Sequence, residues 1–143
     1  MRLSETLNVD DKGWLLTESG WDPDRAVALG SNFLAGNGYL GYRATSPEQG
    51  ADRYVALVVT DTYDCADGRW RELTTVPNPL FVSARIGGVL LSVDSGADVE
   101  ARLDLHAGEF GMRFAHQLDD ANLIVRVARF ASYDQLHLLV QRW

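Results

Sequence analysis

From residue 54 onward the chain runs in short apolar stretches separated by turn-forming residues. Tyr54 to Thr60 is a nearly continuous β-branched and aromatic run, which predicts a strand buried on both faces. Asp61 to Asn78 is polar, contains Gly68 and Pro77, and predicts a long loop. Leu80–Ile86 and Val89–Val93 flank Gly87-Gly88, a hairpin signal, because both central positions of a type I′ turn need positive φ. Phe110, Met112, Phe114, His116 and Leu118 alternate with Gly111, Arg113, Ala115 and Gln117, the period of a half-buried strand. Asp119-Asp120-Ala121-Asn122 turns the chain, Leu123 to Phe130 returns, and Ser132-Tyr133-Asp134-Gln135 turns it again before Leu136 to Arg142. The first thirty residues hold only short pieces, Trp14–Glu18 and Arg25–Leu29, between Gly and Asp-Pro punctuation, with room for one short helix. Strands at this spacing without sustained helical periodicity predict an all-β antiparallel sandwich or barrel and argue against a parallel βαβ fold.

Composition narrows the class. The 143 residues are 46% hydrophobic and 23% charged, as in one ordinary globular domain. No apolar run approaches the ~18 residues of a membrane span, and the N-terminus lacks the apolar core of a secretory signal, which predicts a cytoplasmic protein. Cys65 is the single cysteine, so neither an internal disulfide nor a cysteine zinc cage is available. The net charge of −7 argues against nucleic-acid partners, which need clustered cations. Leu136–Trp143 reads as strand to its last residue, and a strand with unpaired backbone needs a neighbour. The expectation is that further chain, or a second copy, lies beside it.

Candidate chemistry is sparse. Gly36-Asn37-Gly38-Tyr39-Leu40-Gly41 matches the dinucleotide pattern GxGxxG, but that pattern needs a helix N-terminus after it. Here Tyr42-Arg43-Ala44-Thr45-Ser46-Pro47 follows, β-like and then broken by Pro, so the glycines are read as turn and close-approach residues. His106, His116 and His137 lack metal-ligand spacing, and His116 and His137 fall on predicted strands as structural residues. Asp61, Asp64 and Asp67 with Gly68 lack the one-three-five spacing and closing Glu of a calcium loop. No GxSxG elbow is present. No metal and no cofactor is expected. Trp14, Trp21, Trp70 and Trp143 with Tyr39, Tyr42, Tyr54 and Tyr63 could stack on sugar rings, although aromatics more often fill β cores. Trp70, in the polar Gly68-Arg69-Trp70-Arg71 segment, is the exposed candidate for substrate binding.

Several phrases together resemble the N-terminal domain of glycoside hydrolase family 65, the maltose, trehalose and kojibiose phosphorylases and their hydrolase relatives. Phe33-Leu34-Ala35-Gly36-Asn37-Gly38-Tyr39-Leu40-Gly41-Tyr42-Arg43 is similar to that family's F-x-x-GNGYLG-x-R signature. Tyr54-Val55-Ala56 with Asp61 to Asp64, Val76-Pro77-Asn78-Pro79-Leu80, Leu103 to Gly108 with Arg113, and Arg129-Phe130-Ala131-Ser132 with Leu136-His137-Leu138 resemble later phrases in the same order. Gly30-Ser31-Asn32 stands where many members have Glu-Ser, and Ala44 follows Arg43 where Gly is common. The resemblance implies that residues 1–143 are an incomplete part of a β super-sandwich that precedes a catalytic (α/α)6 barrel. The family's general acid and phosphate-binding residues lie in that barrel, which has no counterpart here, so no catalytic residue is carried over.

Three functions follow as expectations. The first is a non-catalytic scaffold that packs on a catalytic barrel or on another copy of itself, as a homodimer would. In it Gly36, Asn37, Gly38, Gly41 and Arg43 are structural, with Arg43 pairing an acid at a domain interface. The second is a free-standing module that binds an α-glucoside sugar through Trp70. The third is a small sugar-modifying enzyme, for which His106, His116 and nearby acids are the raw material for an acid–base pair.

Overall fold

The structure is a computed structural model and describes residues 7–50, 56–119 and 121–143, apart from the side chain of residue 66. Its strands are β1 (Leu7–Val9), β2 (Leu15–Ser19), β3 (Ala35–Gly36), β4 (Leu40–Tyr42), β5 (Leu57–Ala66), β6 (Trp70–Thr75), β7 (Arg85–Ile86), β8 (Val89–Leu90), β9 (Ala97–Asp104), β10 (Glu109–Leu118), β11 (Ala121–Ala131) and β12 (Leu139–Arg142). Among the described residues they form a six-stranded sheet in the order β1-β2-β9-β10-β11-β12, a four-stranded sheet β3-β4-β5-β6, and the small pair β7-β8. The strand pairs are antiparallel throughout. No described helix is long and apolar enough to cross a membrane.

Alternation builds the larger sheet. Val99, Ala101 and Leu103 on β9, Phe110, Met112 and Phe114 on β10, and Val125 and Val127 on β11 are buried, because residues two apart share a face. They join Phe33, Leu40, Tyr42 and Leu57 in one hydrophobic core shared by the two larger sheets. Phe33 and Phe110 meet with ring centroids 6.1 Å apart. Each such side chain stabilises the fold by roughly 1.5–3 kcal/mol through removal from water. The chain is therefore an antiparallel β-sandwich.

Among the described residues there is one short α-helix, α1 (Ala26–Asn32), which follows a 3-10 turn at Pro23–Arg25. Asp22 starts that turn by accepting from the Asp24 N–H at 3.0 Å, and Pro23 fits its first position because its missing N–H would be unpaired there. The helix buries Ala26, Leu29 and Gly30. A Cβ at Gly30 would lie 2.8 Å from the Ala44 carbonyl, so only glycine lets the helix approach the chain after β4 so closely.

Four expectations need correction. Residues 61–78 are not one long loop: β5 continues to Ala66 and β6 returns from Trp70 to Thr75 around a turn at 67–69. Where Leu57–Thr60 is described, Val58 and Val59 are half-buried and Thr60 is exposed, so this stretch is not covered on both faces; Tyr54 and Val55 lie outside the described residues. The Gly87-Gly88 hairpin forms with φ of 57° and 84°, but its strands are only two residues each. Residues 80–84 carry no strand pairing. The last strand starts at Leu139, which leaves His137 in a turn.

Candidate functional site

The Gly36–Arg43 segment forms the turn between β3 and β4 and the strand after it. Asn37 is buried and uses its whole amide. Its Oδ1 accepts from the Tyr39 N–H (3.0 Å) and the Leu40 N–H (2.8 Å), while its Nδ2 donates to the carbonyls of Ser132 (2.6 Å) and Leu136 (3.0 Å). One side chain thus shapes its own turn and fastens it to the loop between β11 and β12. The neighbouring Tyr39 ring meets the His137 ring edge-on at 4.4 Å. Gly38 has φ of 88°, a left-handed value that glycine adopts freely. A Cβ on Gly36 would come within 2.4 Å of the Leu40 carbonyl. Arg43 reaches α1, where its guanidinium donates to the Val27 carbonyl and to Ser31 Oγ.

Behind this segment lies a buried polar layer. Arg129 occupies an inward position of β11 in line with Val125 and Val127 and is fully buried. Its Nε donates to Gln141 Oε1 (2.5 Å) and one terminal nitrogen donates to the Thr45 carbonyl (2.7 Å). Gln141 in turn donates to the Leu80 carbonyl at 3.0 Å. The Tyr42 hydroxyl donates to the Arg129 carbonyl at 2.9 Å, joining β4 to β11. Burial pulls the Arg129 pKa down to about 10 and pushes the Tyr42 hydroxyl up to about 12, because each charged form is costly away from water. Half-buried Glu48 borders the layer and accepts from Ser92 Oγ (3.0 Å) and the Val93 N–H (2.6 Å). Arg129 and Tyr42 fall within the family-like phrases of the sequence, but Glu48 and Gln141 do not, and nothing in those phrases shows that the four come together. The available clue was local: Arg129 breaks the apolar register of its strand.

The histidines occupy separate environments. His106, in the turn after β9, packs edge-on against Trp14 at 5.6 Å. His116 is buried, with Nε2 3.1 Å from the Ser92 nitrogen and 2.7 Å from its oxygen. No group of three or more His, Cys, Asp or Glu that could hold a metal ion occurs among the described residues.

Trp70 lies at the start of β6, not in a loop, and is 56% exposed. It belongs to an arm built by the outer parts of β5 and β6. The pairing slips between Val58 and Tyr63, where five steps on β5 match two on β6 between the same pairs. Asp61 takes a positive φ of 66° there, and Thr62 Oγ1 braces the bulge by donating to the Val59 carbonyl at 2.6 Å. Beyond the bulge Tyr63 pairs with Leu73 and both are exposed. Alternation puts Trp70 on the opposite face from that pair, so the arm shows apolar side chains on both sides.

The model of the N-terminal domain of glycosyl hydrolase family 65 matches residues 16–143. A 1,2-alpha-glucosylglycerol phosphorylase from Bacillus selenitireducens is 36% identical over 133 residues, covering 92% of this chain and 18% of that protein. A nigerose phosphorylase from Lachnoclostridium phytofermentans is 32% identical over 132 residues, covering 89% and 17%. A solved structure from the human microbiome, provisionally assigned as a kojibiose phosphorylase, superposes with a TM-score of 0.79 at 18% identity and covers 95% of this chain and 20% of that one. The chain thus spans less than a fifth of the curated relatives' length. With a family match over nearly its whole length and a relative above 30% identity, the chain belongs to glycosyl hydrolase family 65, as its N-terminal domain.

Proposed function

We propose that this domain is a non-catalytic scaffold for an enzyme that cleaves α-glucosides, docking through the β5–β6 arm onto a catalytic barrel or a second copy. The observation that carries the reading is a division of labour. The polar groups buried between the sheets hold strands together, whereas Tyr63, Trp70 and Leu73 stand exposed on a projecting arm. Exposed apolar side chains gathered on one element favour a protein contact. The phosphorylase names of the relatives support phosphorolysis as the activity of the whole enzyme. The test is light scattering on the pure chain across a wide concentration range. Mass should rise with concentration, and Tyr63→Ser/Trp70→Ser/Leu73→Ser should restore the monomer. A monodisperse monomer at every concentration would count against self-association and leave the barrel as the occupant.

The exposure of Trp70 favours a second reading, a module that binds glucose-containing sugars by ring stacking. Saturation-transfer NMR with glucose, maltose, trehalose and kojibiose separates the two. Transfer to one sugar that Trp70→Ala abolishes would establish the binding module, and silence from a folded sample would leave the scaffold ahead.

A further inference from the structure

The outer face of the six-stranded sheet, turned away from the core, gathers arginines. Arg102 of β9, Arg113 of β10, Arg126 of β11 and Arg142 of β12 line one concavity of about 320 Å³ together with Trp143. The register explains the convergence. Arg102 stands opposite Gly111, Gly111 opposite Ala128, and Ala128 opposite Arg142. Two small residues therefore make a floor between two long cations. Two positions along, Arg113 and Arg126 face each other directly. The floor depends on Gly111: a Cβ there would lie 2.8 Å from Arg102 Nε, so the arginine lies across the bare backbone.

The charge balance of this face runs against the chain as a whole. Glu109 sits 3.6 Å from both Arg102 and Arg142, and Glu100 is the cross-strand partner of Arg113. With Asp104, the cross-strand partner of Glu109, three acids stand among four arginines, in a chain of net charge −7. One Arg113 nitrogen donates to the Asp98 carbonyl at 3.4 Å, which leaves its other donors for a ligand. Like charges directly opposite each other on a sheet repel, and an anion between the two guanidinium groups relieves the Arg113–Arg126 pair. Forked guanidinium groups suit phosphate, which accepts from both at once. A cavity of about 320 Å³ is at the small end of those that hold organic ligands, roughly 300–1,000 Å³, and the Trp143 ring offers a stacking surface beside the cations.

We propose that this concavity is an anion site for a small phosphate-bearing molecule, the phosphate bridging Arg113 and Arg126. It is independent of the arm and of the scaffold reading. The test uses the whole 143-residue chain and follows thermal unfolding and amide NMR shifts during titration with inorganic phosphate and with glucose 1-phosphate. Sodium chloride at matched ionic strength and glucose serve as controls. Saturable shifts at Gly111, Arg113, Arg126 and Ala128 are expected, with a rise in Tm that chloride does not give. Arg113→Gln/Arg126→Gln should weaken binding at least about tenfold. Arg126→Gln alone should match or exceed the wild-type Tm without phosphate, since it removes the like-charge pair. Tighter binding of glucose 1-phosphate that Trp143→Ala cancels would assign a sugar phosphate, whereas equal binding of both would assign the bare anion. No saturable shift, or an equal rise in Tm for wild type and double variant, would overturn the proposal.

Discussion

Asn37 makes four hydrogen bonds with one amide, two accepted within its own turn and two donated to carbonyls almost a hundred residues later. Aspartate has the same shape but no N–H to give. In Asn37→Asp a carboxylate oxygen would face the Ser132 and Leu136 carbonyls, leaving buried acceptors opposed to one another. The expected loss is about 3 kcal/mol or more, read as a lower urea midpoint with an unchanged slope. A midpoint equal to wild type would mean that Tyr39, His137 and the backbone hold the two loops together without this amide. The motif was legible in the sequence as a family phrase, but its partners were not. Nothing local to Gly36–Gly41 shows that Ser132 and Leu136 will arrive beside it.

The arm beyond the Asp61 bulge rests little on the core, since five of the six residues of β6 are exposed. Such elements open at low free-energy cost. Replacing residues 63–73 with a short Asn-Gly turn should therefore cost less than about 1 kcal/mol of global stability, measured by chemical denaturation. A much larger loss would place the arm within the cooperative core. The same exposure explains why the sequence predicts a loop here. Thr60-Asp61-Thr62-Tyr63-Asp64 and Arg71-Glu72-Leu73 have no buried face, so no period-two pattern marks them. β10 and β11 each bury one face and were legible from alternation. β9 also alternates, but Ala97, Asp98, Glu100 and Asp104 have weak β propensity, which hides its pattern in the sequence. The helix and the Gly87-Gly88 turn were legible because their punctuation is local.

For the molecule as a whole, Tyr42 and Arg129 of the interlayer act on alkaline stability with opposite signs. Tyr42 titrates at about 12 in the fold and at 10.0 in its ordinary setting. Its contribution is complete below pH 10 and is lost as the pH rises to 12, because the unfolded chain releases its proton first. Arg129, pulled down to about 10 by burial, does the reverse: the folded state binds fewer protons over that range, and stability gains. Tyr42→Phe removes only the falling part. Between pH 10 and 12 the variant should gain on wild type by on the order of 2–3 kcal/mol, with the late tyrosinate absorbance step gone. Parallel stability curves for the two proteins would show that Tyr42 ionises as freely in the fold as out of it. The clamp at residue 37 also has a chemical lifetime. Asn-Gly is the pair most prone to deamidation, because the glycine nitrogen meets little obstruction when it attacks the side-chain carbonyl. Here four hydrogen bonds hold both ends of the amide in one rotamer, so the side chain cannot turn to meet that nitrogen until the clamp opens. Aspartate or isoaspartate accumulating at position 37 in aged protein would then record the time each molecule has spent open.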